Sequence, residues 1–131
     1  NILAQNFYIS PSSIAQYAAL AGFTEAARLI LEKRRQNFRE RRDFLCASLR
    51  EIGFILAEEV QGAFYVYADI SGFSENSEQF CHDMLENHGV AITPGTDFGD
   101  FKARQFVRFA FTTSMDDLAL GVERLRLALQ G

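Results

Sequence analysis

The spacing of apolar residues predicts a long helix in the first half of the chain. Neither Pro nor Gly interrupts the stretch from Glu25 to Ile52, and its apolar residues follow helical spacing near both ends. Thr24 supplies a helix N-cap and Gly53 a stop, so the helix is expected to be roughly 42 Å long. Its middle is rich in arginine, which is typical of a solvated face. A helix that is apolar at both ends and polar in the middle indicates a spacer between two packed bodies.

The apolar period shortens after Gly53, where strands begin to alternate with helices. Four segments have the alternation or the apolar content of strands: residues 54–57, 63–70, 90–93 and 106–113. Three shorter helices are predicted at residues 14–21, 77–88 and 116–129. This mixture predicts an α+β fold, in which a small and mostly antiparallel sheet has helices packed on one side and is preceded by the long helix.

Composition and charge narrow the possible functions. Of the 131 residues, 48% are hydrophobic and 13 are Phe, which is enough for a packed core. The formal net charge of -4 gives no support to binding of nucleic acid or of an anionic membrane surface. No apolar run approaches the ~20 residues of a membrane-spanning helix. Cys46 and Cys81 are expected to be buried free thiols, which favours a cytoplasmic location.

Arg108 is the residue that points most directly to chemistry. It lies in the middle of a predicted strand, between Val107 and Phe109. A guanidinium in such apolar company loses hydration free energy unless it meets an anion, and its planar fork fits a carboxylate. The carboxylate can belong to an Asp or Glu of the protein or to a ligand, and the pattern alone leaves both possibilities open.

The loop with the sequence TPGTDFGDF is a second candidate ligand site. Pro94 and Gly95 fix a tight backbone where a strand ends, and small groups there allow a ligand to approach closely. Shaping of the loop without any ligand contact explains the same pattern. Neither of the two glycine-rich phosphate-binding motifs occurs in the chain.

No catalytic residue and no metal ligand is assigned within the chain. His82 and His88 have no nucleophile pattern beside them, and no cysteine–histidine spacing resembles a zinc site. Lys33 and Lys102 stand in polar settings, where a solvated ammonium is expected. Tyr65 and the many Phe residues permit a preference for aromatic substrates without demonstrating one.

Four segments, in order, resemble the class I/II aminotransferases, which use pyridoxal 5'-phosphate. These are NFYISPSSIAQYAAL, GAFYVYADIS, GVAITPGTDFG, and VRFAFTTS followed by LALGVERL. The resemblance implies the fold type I architecture and the C-terminal part of such an enzyme. Residues 1–23 would then be the end of the large domain with a short helix, residues 24–53 the interdomain helix, and residues 54–131 the small domain.

The resemblance also implies a reaction and two site residues. The full-length parent would move an amino group between an amino acid and a 2-oxo acid, usually as a homodimer. Arg108 would bind the substrate α-carboxylate, and Gly62 would line the substrate pocket. The large N-terminal domain, with the lysine that binds pyridoxal 5'-phosphate, would lie upstream of Asn1. The fragment alone is therefore expected to be inactive and to hold no cofactor.

Two other functions stay open at this point. One is a C–S lyase of the same fold, since a fold does not fix the reaction. The other is a free-standing, non-catalytic ligand-binding or regulatory module, in which Arg108 pairs with a carboxylate of the protein. A product assay separates the lyase from the transferase, and the upstream gene sequence separates the module from the enzyme.

Overall fold

The computed structural model describes residues 2–56 and 59–130, apart from the side chain of Ala4. Within these ranges the helices are α1 Ile2–Phe7, α2 Ser13–Ala21, α3 Glu25–Ile52, α4 Ser77–His88 and α5 Met115–Gln130. The strands are β1 Ile55–Leu56, β2 Tyr65–Asp69, β3 Thr93–Pro94 and β4 Phe106–Ala110. Two short 3-10 helices, Gly95–Phe98 and Ala103–Gln105, lie between β3 and β4.

The four strands form one antiparallel sheet in the order β1-β2-β4-β3. The β2 and β4 strands pair along their full length, with Tyr67 opposite Arg108. On the other side of β4, Thr93 of β3 also lies opposite Arg108. Arg108 is therefore in the interior of the sheet, flanked by a residue of each neighbouring strand.

Only one face of the sheet is buried. Val66 and Ala68 of β2 and Val107 and Phe109 of β4 are buried, whereas the residues between them are more accessible. These four buried strand residues belong to one apolar cluster with residues of the second half of α3, of α4 and of α5. The helical members of this cluster are Leu45, Cys46, Leu49, Ile52, Phe80, Cys81, Met84, Leu118, Val122 and Leu125. The predicted α+β fold, with helices on one side of a small antiparallel sheet, is confirmed.

The chain divides into two compact units, residues 1–37 and residues 38–131, and the division falls within α3. In the first unit, α2 has no buried residue. Leu29 and Ile30, near the start of the long helix, are more than half exposed, and the first unit contains no apolar cluster among its described residues. The three-part division at residues 23 and 53 stays a prediction.

The helix boundaries agree with the capping residues in the sequence. The long helix spans residues 25–52 as predicted, with the Thr24 hydroxyl accepting the Ala27 N–H at its start. It stops at Gly53, whose φ of 117° is in the region that favours glycine. The α4 helix begins after Asn76, whose side chain accepts the Glu78 and Gln79 N–H groups, and it ends at Gly89, which is left-handed with a φ of 65°.

Several element limits differ from the prediction. The α1 helix was not predicted, because residues 2–7 carry no apolar period. The strand expected at residues 90–93 is confined to Thr93–Pro94, because the Val90 N–H donates to the Met84 carbonyl and completes the end of α4. The strand expected at residues 106–113 ends at residue 110. Of the strand at residues 54–57, residues 55 and 56 are observed, and residue 57 lies outside the described residues.

Cys46 and Cys81 are buried free thiols, as the sequence predicted. Burial raises the pKa of Cys81 to about 11 and also raises the pKa of Cys46. Both thiols therefore stay protonated near neutral pH, which makes them packing groups and poor nucleophiles. Across the described ranges, no helix combines the length and apolarity needed to cross a bilayer.

The position of Leu49 predicts a large effect on stability. Its side chain is 0% exposed at the centre of the cluster, so Leu49→Ala should lower the free energy of unfolding by about 2–5 kcal/mol. Leu127, which is 66% exposed on α5, is the matched control, and Leu127→Ala should change the free energy by less than about 0.5 kcal/mol. Urea denaturation followed by circular dichroism measures both. Equal losses for the two variants would contradict the assigned core.

Candidate carboxylate-binding site

Arg108 lies on the accessible face of the sheet, opposite the core. The alternation of β4 buries Val107 and Phe109 and turns Arg108 to the other side, where it is half-buried. Its neighbours on that face are Tyr67 of β2 and Thr93 of β3. The strand period thus places one cation on the accessible face, between Tyr67 and Thr93 of the two neighbouring strands.

The guanidinium of Arg108 has few polar partners. Its Nη2 donates to the Thr93 hydroxyl at 3.3 Å. Its Nε is buried and donates to no described group. None of the ion pairs among the described residues involves Arg108. A buried N–H without an acceptor is costly, and here it belongs to a group that is built to bind anions.

Aromatic rings take the place of an acidic partner. The guanidinium carbon lies 4.7 Å from the centre of the Phe98 ring and 5.4 Å from the centre of the Tyr65 ring. Tyr67 stacks on Phe106, with centroids 5.0 Å apart and planes within 2°. The edge of Tyr67 also meets Phe98, with centroids 6.3 Å apart. The faces of these rings attract a cation but accept no strong hydrogen bond.

Gly95 fixes the loop that carries Phe98. A methyl group at Gly95 would overlap the Ala103 carbonyl oxygen and would lie 2.6 Å from the Tyr67 hydroxyl and 2.7 Å from the Phe106 carbonyl oxygen. Only glycine fits such contacts, so the loop after β3 is pressed against β2 and the 3-10 helix at residues 103–105. Burial raises the pKa of Tyr67, which keeps this phenol neutral beside the cation.

Gly62, the other predicted site residue, is exposed and lies three residues before Tyr65. A methyl group at Gly62 would meet no atom within 4 Å, so the described residues give no steric reason for a glycine there. It stands near the start of β2, whose first residue reaches the guanidinium of Arg108. Its assignment to the substrate pocket stays a prediction.

The other titratable residues singled out from the sequence are His82, His88, Lys33 and Lys102. His82 is exposed, and the Nε2 of His88 is 3.9 Å from Asp83 on the same helix. Lys33 is exposed on α3, and Lys102 is exposed with its Nζ 5.9 Å from the Phe101 ring. Among the described residues, no group of three His, Cys, Asp or Glu side chains has the proximity of a metal site.

Sequence reasoning missed two members of the site. The sequence places Thr93 at the end of a strand, but its contact with Arg108 depends on the pairing of β3 with β4. Phe98 lies in a 3-10 helix of four residues, which is too short for a sequence pattern to show which way the side chain faces. Its place within the PGTDFG loop was the only available signal.

A family model for class I and II aminotransferases matches residues 1–125. The chain belongs to the class I and II aminotransferase family. The resemblance drawn from four short motifs is thereby confirmed. Members of this family generally depend on pyridoxal 5'-phosphate and share the fold type I architecture.

Relatives of known function are aminotransferases of much greater length. The valine–pyruvate aminotransferase of Mycobacterium tuberculosis is 37% identical over 123 residues, which cover 94% of this chain and 32% of that protein. The aspartate/prephenate aminotransferase of Thermus thermophilus is 38% identical over 122 residues, which cover 92% of this chain and 30% of that protein. The chain therefore spans about a third of the length of these relatives.

Solved structures agree with this assignment. The crystal structure of an aminotransferase from Mycobacterium tuberculosis matches 98% of this chain and 33% of its own, with a TM-score of 0.92 and 37% identity. A double mutant of the Thermus thermophilus aspartate aminotransferase matches 97% of this chain and 32% of its own, with a TM-score of 0.83 and 36% identity. The fold of the described residues is thus that of part of an aminotransferase.

Neither lysine among the described residues has the setting that binds the family's cofactor. A lysine that binds an aldehyde needs a desolvated or cation-lined setting that lowers its pKa. Lys33 and Lys102 are both exposed. The candidate site offers one cation, a hydroxyl and aromatic faces.

The close contacts of Gly95 predict that even one methyl group will disturb the site. Gly95→Ala should lower the free energy of unfolding by about 1–3 kcal/mol, because backbone oxygen atoms must move to admit the methyl group. Gly72, where a methyl group would meet nothing within 4 Å, is the control, and Gly72→Ala should stay within about 0.5 kcal/mol of the parent. Thermal unfolding of both variants measures the difference. Equal stability of the two would refute the tight fit at Gly95.

Proposed function

We propose that this chain is the C-terminal part of an aminotransferase and that Arg108 binds the α-carboxylate of its substrates. The observation that carries the proposal is the guanidinium of Arg108. It is half-buried, it has a buried Nε without an acceptor, and it forms no ion pair with a described carboxylate. Such a group is prepared for an anion that comes from elsewhere.

The geometry of the fork favours a carboxylate as that anion. A guanidinium donates two parallel N–H bonds to the two oxygens of a carboxylate, which fixes the orientation of the ligand as well as its charge. The Nε is free, and the contact of Nη2 with Thr93 is long at 3.3 Å, so it is a weak competitor. The guanidinium of Arg108 can therefore make a bidentate contact.

A carboxylate on Arg108 explains how one site serves both substrates of amino-group transfer. The amino acid and the 2-oxo acid differ at the α-carbon but carry the same carboxylate. Holding that carboxylate fixes the α-carbon, so its proton can be placed in line with a base supplied by the rest of the protein. The role of this chain is to bind and orient, and Gly62 is proposed to leave room beside the bound substrate.

Pyridoxal 5'-phosphate supplies the electron sink for such a reaction. We propose that the residues that hold it belong to the part of the protein that corresponds to the other two thirds of the relatives, and that the full-length protein is a homodimer in the cytoplasm. The side chain of the amino-acid substrate is left open, because the relatives named above act on valine and pyruvate or on aspartate and prephenate.

Substitution of Arg108 in the full-length protein tests its role. Arg108→Gln removes the charge and the forked N–H donors. It should lower kcat/KM roughly 30- to 1000-fold, which corresponds to a loss of about 2–4 kcal/mol in transition-state stabilisation. Arg108→Lys keeps the charge without the forked donors, so its kcat/KM should fall less than that of Arg108→Gln. Arg104→Gln, an exposed arginine four residues away, is the control and should change kcat/KM less than about twofold. A value of kcat/KM for Arg108→Gln equal to that of the control would reject the assignment.

The 131-residue chain alone is expected not to hold pyridoxal 5'-phosphate covalently. Both lysines are exposed, so neither has the desolvated or cation-lined setting that the bond requires. The chain is incubated with an equimolar amount of the cofactor, reduced with borohydride and weighed by mass spectrometry, beside the full-length protein. Stoichiometric labelling of Lys33 or Lys102 in the short chain would contradict the expectation, and labelling of the full-length protein alone would support it.

A further inference from the structure

Phe98 is placed against Arg108 without serving the core. Its ring centre is 4.7 Å from the guanidinium carbon of Arg108, although 52% of the Phe98 side chain is exposed. Phe98 belongs neither to the buried apolar cluster nor to the side chains packed against it. Burial of apolar surface therefore does not account for the position of this ring.

The loop between β3 and the second 3-10 helix holds the ring where it is. Gly95 anchors the start of the loop by contacts that exclude any larger residue. Phe98 ends the short 3-10 helix that follows, and Gly99 then turns the chain away with a φ of 147°, a conformation that favours glycine. The Tyr67 ring lies against the Phe98 ring, with the two planes nearly perpendicular. The two glycines of the PGTDFG loop thus fix the position of the residue between them.

An aromatic support has an advantage over an acidic one at this position. A carboxylate beside Arg108 would hold the guanidinium, but it would also occupy its N–H donors and cancel its charge. The face of a ring attracts the cation through its quadrupole and accepts no strong hydrogen bond. Phe98 and Tyr65 therefore orient the guanidinium and leave its donors for another anion.

We propose that Phe98, assisted by Tyr65, is a positioning residue that holds Arg108 ready for the substrate carboxylate. The inference rests on the proposed function of Arg108 and adds a residue to it. Without the ring, the long arginine side chain samples more rotamers. Substrate binding must then fix one rotamer, and the loss of side-chain entropy weakens binding. Both substrates bind the same guanidinium, so loss of the ring should weaken the binding of each substrate.

The full-length protein and four variants test the proposal. Turnover is measured with each common L-amino acid as donor and pyruvate or 2-oxoglutarate as acceptor, and KM and kcat are determined for the best pair. Phe98→Leu should raise KM for both substrates about three- to tenfold while kcat changes less than about twofold. Phe98→Tyr keeps the ring face and should stay close to the parent. Arg108→Gln reports on the proposed function itself.

Phe101→Leu is the matched control. Phe101 lies in the same loop region, is 89% exposed and contacts Lys102, with no ring contact to Arg108 among the described residues. Its KM values should equal those of the parent. Thermal unfolding is followed for every variant, and Phe98→Leu should melt near the parent because its ring is half-exposed. Phe98→Met, which keeps the bulk without the ring, repeats the kinetic test if the leucine variant fails to fold.

The outcomes separate the two proposals. If Arg108→Gln is impaired but Phe98→Leu matches Phe101→Leu, the positioning role is wrong and the proposed function stands. If Phe98→Tyr is impaired as much as Phe98→Leu, the ring face is not the cause and the positioning role is again wrong. If Arg108→Gln retains full activity, or the parent turns over no amino acid, the proposed function fails and the role of Phe98 fails with it.

Discussion

The antiparallel pairing of β2 with β4 is the interaction on which both the core and the candidate site depend. Five residue pairs fix its register, and the alternation along each strand then divides the side chains between two faces. One face sends Val66 and Phe109 into the apolar cluster, and the other presents Tyr67 and Arg108. A slip by one residue would bury the guanidinium and expose the apolar side chains. The free energy of core packing therefore also holds Arg108 on the accessible face.

The charge of Arg108 is balanced differently from that of other arginines in the chain. Arg28 and Arg126, for example, form exposed ion pairs with Glu25 and Glu51. Such exposed pairs contribute little to stability, since water screens them. Arg108 instead meets aromatic rings and one hydroxyl. Among the described residues, no carboxylate forms an ion pair with this cation in the centre of the sheet.

Elements with strong local signals could be predicted from the sequence, and elements set by distant contacts could not. The limits of α3 followed from Thr24 and Gly53, which act on the helix directly, and the face of Arg108 followed from the period of its strand. The contact of Phe98 with Arg108 depends on how a loop folds over the sheet. The 3-10 helix that carries Phe98 has four residues, which are too few to show a periodic pattern in the sequence. The pairing of Arg108 with Thr93 likewise depends on a register between segments that are distant in sequence. Family membership could be recognised because the motifs keep their order even where their geometry is not apparent.

The two outer strands have a consequence for association between sheets. The β1 and β3 strands lie at the edges and contain only two residues each, and β3 ends in Pro94, which has no N–H to donate. A long, flat edge would offer a template for another extended chain, whereas edges this short offer few free backbone groups. Growth of the sheet by addition of strands is therefore disfavoured at the β3 edge. Pro94, the residue at which the loop over Arg108 begins, thus also disfavours edge-to-edge aggregation.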